Sequence, residues 1–410
     1  MHYCNIIMFL TSTKSIFEFR TRGGGCVKAL HPFAKFGGKF RSFLDVHISK
    51  CRQTVKECRK EDEEDDTNNI SCVDGAGSRI QPLLHVVTTS HMTHRPIENY
   101  LNRHHNGLMS STPNNKTCTD IRLSRGRSIG LRMIPTVHDL KFAWEERQQQ
   151  RLDPQAQKVK DCANGALMDW AEQTGEGSDY ADDRRPLQCL HPVGHYYEIP
   201  NLMLNGTLRD LLQERPQLEY LMLHNIDTVG ANVDARILGT VIQHDSATLT
   251  FEVIPREIDD VGGGLGRVNN TVRMIEGLAL PREDDEFVFS YYNSMTTWIH
   301  IDRLLAKYAL TRNDLDDAKM VAASLQAFSH RLPTYVALKD VKKRWGRGHE
   351  DVFPTAQFEK LWSDMSTLEE MDCHYLVVPR VRGAQLKDPS QLDGWLRDGS
   401  KGYVESICDF

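Results

Sequence analysis

Apolar runs alternate with amphipathic and polar stretches along this chain. The clearest runs are LLHVVTTS at 83–90, LEYLMLH at 218–224, FEVIP at 251–255 and HYLVVP at 374–379, and a polar or glycine-containing stretch follows each. Short continuous apolar runs rich in β-branched residues are typical of strands buried in a parallel sheet. Strands that alternate with helices predict an α/β fold with a mainly parallel sheet flanked by helices.

The stretches between these runs predict the helices and loops. Apolar spacing favours helices at 41–60, 93–101, 202–214, 313–332 and 355–371. The acidic run EDEEDDTNN at 61–69 could bind a cation, but blocks of one charge sign are mostly solvated loops, so a loop insertion at about 57–69 is expected. No clear element is predicted in residues 1–22, and VALKDVKKRWGRGHED is assigned only as a basic segment.

The end of the run LEYLMLH is the first candidate site. Asn225, Asp227 and Gly230 follow it directly, and ligands of open α/β sheets bind beyond the carboxyl ends of the strands. Asp227 could hold a divalent cation that bridges phosphates, because Mg²⁺ prefers hard oxygen ligands. A turn or cap residue is the alternative interpretation of a lone aspartate at this position.

Three further positions could contact a ligand, and each has a structural alternative. The glycines of VGGGLG (261–266) could let a ligand lie against the backbone, or form a bare turn. Glu276 follows the run VRMI and could accept hydrogen bonds from sugar hydroxyls, or be exposed at a strand end. Asn293 offers a donor and an acceptor, which suits a hydroxyl, although buried asparagines are often satisfied within the protein.

Composition narrows the class of protein. The 410 residues are 26% charged with a formal net charge of −6, so no overall positive charge favours nucleic-acid binding. The ten cysteines are scattered without a Cys-x-x-Cys pair, which favours reduced thiols over a disulfide framework or zinc ribbon. The run IIMFL is too short for a signal peptide core, and no stretch approaches the ~20 apolar residues of a membrane span. A cytoplasmic protein without a membrane partner is expected.

The order of these segments resembles the UDP-glucose pyrophosphorylase family (UTP–glucose-1-phosphate uridylyltransferases). The matching segments are NIDTVGANVD, FEVIPREIDDVGGGL, VRMIEGLALP and FSYYNSMTTWIHI, with VKALHPF, SFLDV and HPVGH upstream and VPRVRGAQLKDPSQL downstream. The resemblance spans about residues 23–395. Two features depart from the family: only GGG stands in place of a long Leu-Asn-Gly-Gly loop, and no C-terminal β-helical domain follows.

The resemblance implies a Rossmann-like nucleotide-binding fold of the nucleotide-diphospho-sugar transferase type. It implies an enzyme that forms UDP-glucose and pyrophosphate from UTP and glucose 1-phosphate with Mg²⁺. The implied site residues are Lys28 and Lys387 for catalysis; Gly24, Gly25, Gly194, Asn225 and Asp227 for the nucleotide; His195, Gly263, Glu276 and Asn293 for the sugar; and Asp227 for the metal. A pyrophosphorylase for another UDP-sugar or a UDP-N-acetylhexosamine is the first alternative, and a catalytically weak nucleotide-sugar-binding or regulatory protein is the second.

The same resemblance sets the expected domain organisation. Residues 1–22 form a poorly defined N-terminal segment, 23–395 a nucleotidyltransferase catalytic domain with the acidic insertion, and 396–410 a C-terminal tail. Neither the preferred sugar 1-phosphate nor an oligomeric state follows from the sequence.

Overall fold

The fold is described from a computed structural model of the chain. The described residues are 7–12, 16–17, 26–67, 82–105, 119–130, 132–133, 178–179, 190–244, 246–258, 260, 262–280, 282–346, 349–387 and 390–410. Every statement below about what is present or absent refers to these residues.

Strands and helices alternate through most of the described chain. The strands are β1 (Ile7–Ser12), β2 (Ile16–Phe17), β3 (Cys26–Val27), β4 (Pro32–Phe36), β5 (Lys39–Ser42), β6 (Leu83–Thr89), β7 (Thr119–Arg125), β8 (Ser128–Gly130), β9 (Arg132–Met133), β10 (Ser178–Asp179), β11 (Leu190–Pro192), β12 (Tyr220–Asn225), β13 (Leu249–Pro255), β14 (Gly264–Val268), β15 (Thr271–Ile275), β16 (Tyr291–His300), β17 (Tyr335–Gly346), β18 (His349–Glu359) and β19 (Cys373–Val377). The α-helices are α1 (Phe43–Thr67), α2 (His94–His104), α3 (Glu198–Leu204), α4 (Thr207–Glu214), α5 (Ala235–Gln243), α6 (Ile301–Lys307), α7 (Ala318–Ser329), α8 (Arg380–Gly383), α9 (Gln391–Arg397) and α10 (Ser400–Ser406). Short 3-10 helices include Lys28–Leu30, His195–Tyr197, Gly277–Ala279 and Trp362–Thr367.

A large mixed sheet forms the centre of the fold. Its strands run in the order β15-β14-β16-β12-β1-β6-β7, and β13 joins β16 to β19. The neighbours β12, β1, β6 and β7 pair in parallel, as do β13 and β19, whereas β16 runs antiparallel to β12, β13 and β14. The predicted α/β class is confirmed, and the sheet is mixed rather than mainly parallel because β14 and β15 form a hairpin beside the reversed strand β16.

The N-terminal segment contributes a central strand, so the prediction of no element in residues 1–22 is wrong. Strand β1 lies between β6 and β12 and pairs in parallel with both, with Ser12 opposite Thr88 and Asn225. The carboxyl end of β1 is therefore level with the carboxyl end of β12. The chain that leaves β1 starts at the edge of the sheet where the candidate site was expected.

Two local predictions are corrected by the backbone. Helix α1 continues to Thr67, so the acidic run 61–66 is helical up to that residue and is not the expected loop. The segment 355–371, expected to be a helix, contains the end of β18 followed by the 3-10 helix Trp362–Thr367. The basic segment before it is β17, which pairs antiparallel with β18 in a second sheet of order β10-β9-β18-β17.

The expected C-terminal tail is part of the hydrophobic core. Val404 in α10 is fully buried, and the Phe410 ring stacks on Phe36 of β4 with centroids 5.2 Å apart. These side chains belong to a cluster that also holds Ala29 and Leu44. Residues 396–410 therefore help to fix the hairpin and helix that follow Lys28.

Two further observations concern the cysteines and the length of the helices. Cys58 is disulfide-bonded, whereas Cys51, Cys373 and Cys408 are free, so the expectation of uniformly reduced thiols is wrong at Cys58. Within the described residues, no helix has the length and apolar character needed to cross a membrane.

Candidate active site

Lys28 and Asp227 form a buried ion pair beyond the carboxyl end of β12. Lys28 begins the 3-10 helix after β3, and Asp227 lies in the loop that follows Asn225, the last residue of β12. The Lys28 Nζ atom lies 2.6 Å from Oδ2 of Asp227, and the two residues are 3% and 6% exposed. The other carboxylate oxygen of Asp227, Oδ1, is buried without a hydrogen-bond partner among the described residues. Asp227 therefore presents one oxygen to a cation of the protein and has a second to offer.

Buried side chains of α1 hold the loop that carries Asp227. The Lys50 ammonium donates hydrogen bonds to the carbonyl oxygens of Val229, at 3.0 Å, and Ala231. The Nε2 atom of His47 lies 2.9 Å from the carbonyl oxygen of Ile226. Burial lowers the pKa of Lys50 to about 7. Both contacts satisfy loop carbonyls that lie away from solvent, so they hold the backbone on either side of Asp227.

The segment that ends in Lys387 reaches the same loop from the opposite end of the chain. The backbone N–H of Leu386 donates to the Asp227 carbonyl at 3.0 Å, and Nζ of Lys387 lies 2.6 Å from the Tyr292 hydroxyl. Much of the Lys387 side chain is exposed, but its ammonium group is partly buried. Burial acting alone would lower the pKa of Lys387. Tyr292, Asp227 and Glu276 outweigh that effect and raise the pKa of Lys387. Lys387 is therefore cationic at neutral pH.

Gly263 brings Glu276 and Asn293 together. A Cβ atom at Gly263 would lie 2.2 Å from the Ile275 carbonyl oxygen and 2.9 Å from the Cα atom of Glu276, so only glycine fits there. The Gly263 carbonyl in turn accepts the Asn293 backbone N–H at 3.3 Å. Backbone contacts thus place Gly263 next to Glu276, which directly follows β15, and next to Asn293 of β16.

The side chain of Asn293 is held on both sides of its amide. Its Nδ2 donates to Oγ of Ser363 at 2.8 Å, and its Oδ1 accepts the Met295 N–H at 2.9 Å. Burial raises the pKa of the neighbouring Glu276, against the effects of the Ser363 hydrogen bond and of His195 and Lys387. One oxygen of Glu276, Oε1, is buried without a partner among the described residues. Glu276 therefore keeps acceptor capacity for a ligand.

His195 lies in a pocket with two other predicted residues. The pocket is lined by His195, Leu223, Asn225, Asn293, Met295, Thr297, Trp362 and Ser363. Gly194, just before His195, has φ of 93°, and a Cβ there would lie 2.4 Å from the Lys360 carbonyl oxygen. Nδ1 of His195 is 3.7 Å from Oε1 of the buried Glu198. Glycine at 194 thus allows the close backbone approach that turns His195 toward the pocket.

Most of the predicted site residues therefore lie in one region. The contacts above connect three groups: Lys28 with Asp227, Lys387 with Tyr292, and His195 with Asn225, Gly263, Glu276 and Asn293. Gly24 and Gly25 lie outside the described residues. Sequence reasoning missed Tyr292 and Ser363. Tyr292 stands next to Asn293 in the quoted motif, but Ser363 lies in a segment wrongly predicted to be a helix, so its position gave no signal.

The fold is similar to that of solved UDP-sugar pyrophosphorylases. The structure of UDP-glucose phosphorylase from Trypanosoma brucei matches with a TM-score of 0.58 at 17% identity, over 95% of this chain and 66% of that chain. A provisionally named UDP-N-acetylglucosamine pyrophosphorylase from Entamoeba histolytica matches with a TM-score of 0.57 at 13% identity, over 94% and 77%. At these identities the matches establish the fold.

Part of the chain also matches known proteins by sequence. Residues 178–325 match the family described as UTP–glucose-1-phosphate uridylyltransferase, which confirms the resemblance to UDP-glucose pyrophosphorylases. The barley (Hordeum vulgare) UTP–glucose-1-phosphate uridylyltransferase is 33% identical over 140 residues, or 32% of this chain and 29% of the barley protein. The match thus spans under a third of that relative. The family match includes the segments that carry His195, Asp227, Glu276 and Asn293, whereas Lys28 and Lys387 lie outside it.

Proposed function

We propose that this protein transfers a uridylyl group from UTP to glucose 1-phosphate, forming UDP-glucose and pyrophosphate with Mg²⁺. The observation that carries the proposal is the convergence of two lysines and one aspartate from distant parts of the chain. Lys28 pairs with Asp227, and Asp227 helps to raise the pKa of Lys387. The residues proposed to contact the sugar adjoin this cationic group. The family match and the named relatives support the choice of substrates.

The charges suit in-line attack at a phosphorus atom. A phosphate oxygen of glucose 1-phosphate would attack the α-phosphorus of UTP, and the bond from that phosphorus to the oxygen bridging the β-phosphate would break. Pyrophosphate leaves with the electron pair of that bond. Such a reaction depends on positioning and on neutralising charge rather than on a strong acid or base. In the proposal, Lys28 and Lys387 offset the charge that accumulates on the phosphate oxygens.

The residues present also fit a magnesium ion. Oδ1 of Asp227 is a hard oxygen ligand, buried and without a partner among the described residues. In the same part of the chain, no group of three His, Cys, Asp or Glu side chains forms a metal cluster. Asp227 would therefore share the cation with the substrate phosphates, as is usual for Mg²⁺ in phosphate chemistry. Bound there, Mg²⁺ would neutralise charge on the phosphates of UTP.

The proposed sugar contacts are His195, Gly263, Glu276 and Asn293, with Gly194 and Asn225 toward the nucleotide. A pyrophosphorylase for a UDP-N-acetylhexosamine is the second candidate, and the fold match to the Entamoeba protein supports it. The walls of the pocket include the apolar side chains of Leu223, Met295 and Trp362. Such walls accept an acetyl methyl group as readily as a sugar ring face. The two candidates are therefore distinguished by comparing turnover of their sugar phosphates.

A pyrophosphate-release assay tests the proposal directly. Purified protein is given UTP and Mg²⁺ with glucose 1-phosphate, galactose 1-phosphate or N-acetylglucosamine 1-phosphate in turn. We expect the highest kcat/KM with glucose 1-phosphate and no turnover after chelation of Mg²⁺. A preference for N-acetylglucosamine 1-phosphate would replace the proposed substrate. Tight calorimetric binding of UDP-glucose without turnover of any sugar phosphate would instead support a binding protein.

A further inference from the structure

A buried ion pair joins the segment that ends in Lys387 to the central sheet. The Arg382 guanidinium of α8 contacts both carboxylate oxygens of Glu252 in β13, through Nε and one terminal nitrogen, each at 2.7 Å. Arg382 is 3% exposed and Glu252 is fully buried. The Trp298 indole N–H of β16 donates to the same carboxylate at 2.7 Å. The two charges are therefore paired side by side in a planar geometry.

Arg382 also contacts the loop that carries Asp227. One terminal nitrogen of its guanidinium donates to the Asn232 carbonyl oxygen at 2.8 Å, and the other donates to Oδ1 of the Asn232 side chain. Asn232 follows Asp227 in the loop between β12 and α5. A single guanidinium thus binds β13 and this loop at the same time, because its N–H donors point in several fixed directions.

The backbone of α8 lies against the same loop. A Cβ atom at Gly230 would lie 2.1 Å from the Val381 carbonyl oxygen and 2.8 Å from the Arg382 carbonyl oxygen, so only glycine allows this approach. Further along, the Leu386 backbone N–H donates to the Asp227 carbonyl at 3.0 Å. The loop and the segment that begins with α8 therefore touch at several points, and the Arg382 side chain ties both of them to the sheet.

Stability alone gives a weak reason for this ion pair. Burying two charges removes their hydration, and replacing such a pair by apolar groups of similar volume is often neutral or stabilising. The location of Arg382 gives a stronger reason, because it lies between the loop that holds Asp227 and the segment that ends in Lys387.

We propose that Arg382 is a positioning residue that fixes Asp227 and Lys387 relative to each other. The proposed metal ligand and the proposed phosphate-binding lysine can then act on one UTP molecule. An arginine is needed for this role, because a lysine ammonium is a single point charge without the planar fork that spans several acceptors. The catalytic consequence rests on the proposed function, whereas the mechanical link between the two segments does not.

Two variants separate positioning from stability. Arg382→Lys keeps a positive charge beside Glu252 and removes the fork. Arg382→Met combined with Glu252→Gln removes both charges together, and the glutamine keeps an acceptor for Trp298. In urea unfolding, Arg382→Met alone should lower the folding equilibrium constant at least about 100-fold, because it leaves a buried carboxylate unpaired. The double variant should recover most of that loss.

Hydrogen exchange measures the mechanical link without any substrate. The Leu386 amide donates to the Asp227 carbonyl, so a peptide that contains Leu386 reports the contact between the two segments. In Arg382→Lys and in the double variant, this peptide should exchange at least about tenfold faster, while peptides from β6 exchange as in the wild type. Unchanged exchange at Leu386 in the variants would overturn the proposal, and either variant suffices if the other folds poorly.

Steady-state kinetics test the catalytic consequence. Both variants should lower kcat about 10- to 100-fold, because small misplacements of catalytic groups commonly cost that much. The KM for glucose 1-phosphate should change little, since the proposed sugar contacts lie on other elements. A double variant that regains both its stability and the wild-type kcat would make the ion pair purely structural and overturn the positioning role.

Arg312→Lys is the matched control. Arg312 also forks onto a carboxylate, that of Asp302, at 2.6 and 2.8 Å, and it donates to the carbonyl oxygens of Pro216 and Leu218. These partners precede β12 or lie in α6, at the opposite end of β12 from the candidate site. The control should keep the wild-type kcat, and an equal loss of kcat in Arg312→Lys would overturn the positioning role.

The two readouts separate failure of this inference from failure of the proposed function. If the wild type turns over no sugar phosphate, the proposed reaction fails together with the catalytic consequence. Exchange at Leu386 still decides whether Arg382 links the two segments. If the wild type is active and the variants exchange and turn over as it does, the inference fails while the proposed function stands.

Discussion

The ammonium nitrogen of Lys28 lies 2.6 Å from Oδ2 of Asp227, although 199 positions separate the two residues in the chain. Both are buried. Removing two charges from water is costly, and a buried pair gains little stability over apolar residues of similar size. The proposed binding of UTP gives a functional reason to keep a lysine and a carboxylate together, and this reason leads to the first prediction.

Asp227→Asn should lower kcat by a factor on the order of 100 to 1,000, because removing one charged group at a transferring phosphate commonly costs that much. The fold should persist, since asparagine fills the same volume. Pyrophosphate release and circular dichroism measure the two effects. Asp234→Asn is the matched control: Asp234 caps α5 by accepting from the backbone N–H groups of Arg236 and Ile237, and asparagine caps equally well. Equal activities of the two variants would remove Asp227 from the mechanism.

Lys387→Ala should reduce kcat/KM by roughly 100-fold with little change in the free energy of unfolding, because it removes a cation beside the phosphates. The Tyr292 hydroxyl loses its partner at 2.6 Å but keeps its hydrogen bond to Oε1 of Gln385 at 3.3 Å. Steady-state kinetics and urea unfolding give the two readouts. Lys401→Ala, on a lysine paired with Glu405 along the surface of α10, is the control and should change neither. A large loss of stability in Lys387→Ala would assign the lysine a structural role.

Gly263→Ala should lower the free energy of unfolding by more than about 2 kcal/mol, because the new Cβ would lie 2.2 Å from the rigid Ile275 carbonyl. Relief of the clash would separate Glu276 from Asn293, so KM for the sugar phosphate should also rise. Gly239→Ala is the control: it lies within α5 with no atom within 4 Å of the new Cβ, and alanine there should add up to about 1 kcal/mol of stability. Chemical denaturation of both variants is decisive, and equal stabilities would refute the close approach at Gly263.

Val404→Ala should cost about 2 kcal/mol of unfolding free energy, because it removes fully buried methyl groups from the cluster that holds Ala29 and Phe36. Leu396→Ala removes more carbon from a side chain that is 45% exposed and should cost less than about 1 kcal/mol. Thermal or urea unfolding of the pair tests whether residues 396–410 belong to the core. The opposite order of destabilisation would restore the interpretation of this segment as a tail.

The sequence predicted the strands whose apolar character is local and continuous. Leu83–Thr89, Tyr220–Asn225 and Leu249–Pro255 are strands close to where their apolar runs placed them. Strand β1 was missed because its place depends on partners that are distant in sequence, β6 and β12. For the same reason the hairpin of β17 and β18 was missed: its register is a property of two segments together, and neither shows a decisive apolar pattern alone.

Much of the candidate site could be anticipated residue by residue, but its contacts could not. The order of motifs pointed to Lys28, Asp227, Glu276, Asn293 and Lys387 before any geometry was available. Nothing in their spacing indicates that Lys28 reaches Asp227 or that Lys387 reaches Tyr292, because such contacts arise only when the sheet aligns the ends of its strands. Ser363 was missed because residues 355–371 were predicted to form one helix. In that helix its side chain would face another direction.

The stacking of Phe36 on Phe410 has a consequence for biosynthesis. A ribosome releases β4 and the neighbouring Lys28 early, yet the aromatic ring that covers Phe36 is among the last parts of this chain to appear. Strand β1 likewise waits for β12, about half a chain later. The nascent chain must therefore carry β1 with one edge unpaired until β12 is made, and Phe36 without its stacking partner until synthesis passes α10, and such exposed apolar surface is prone to aggregation.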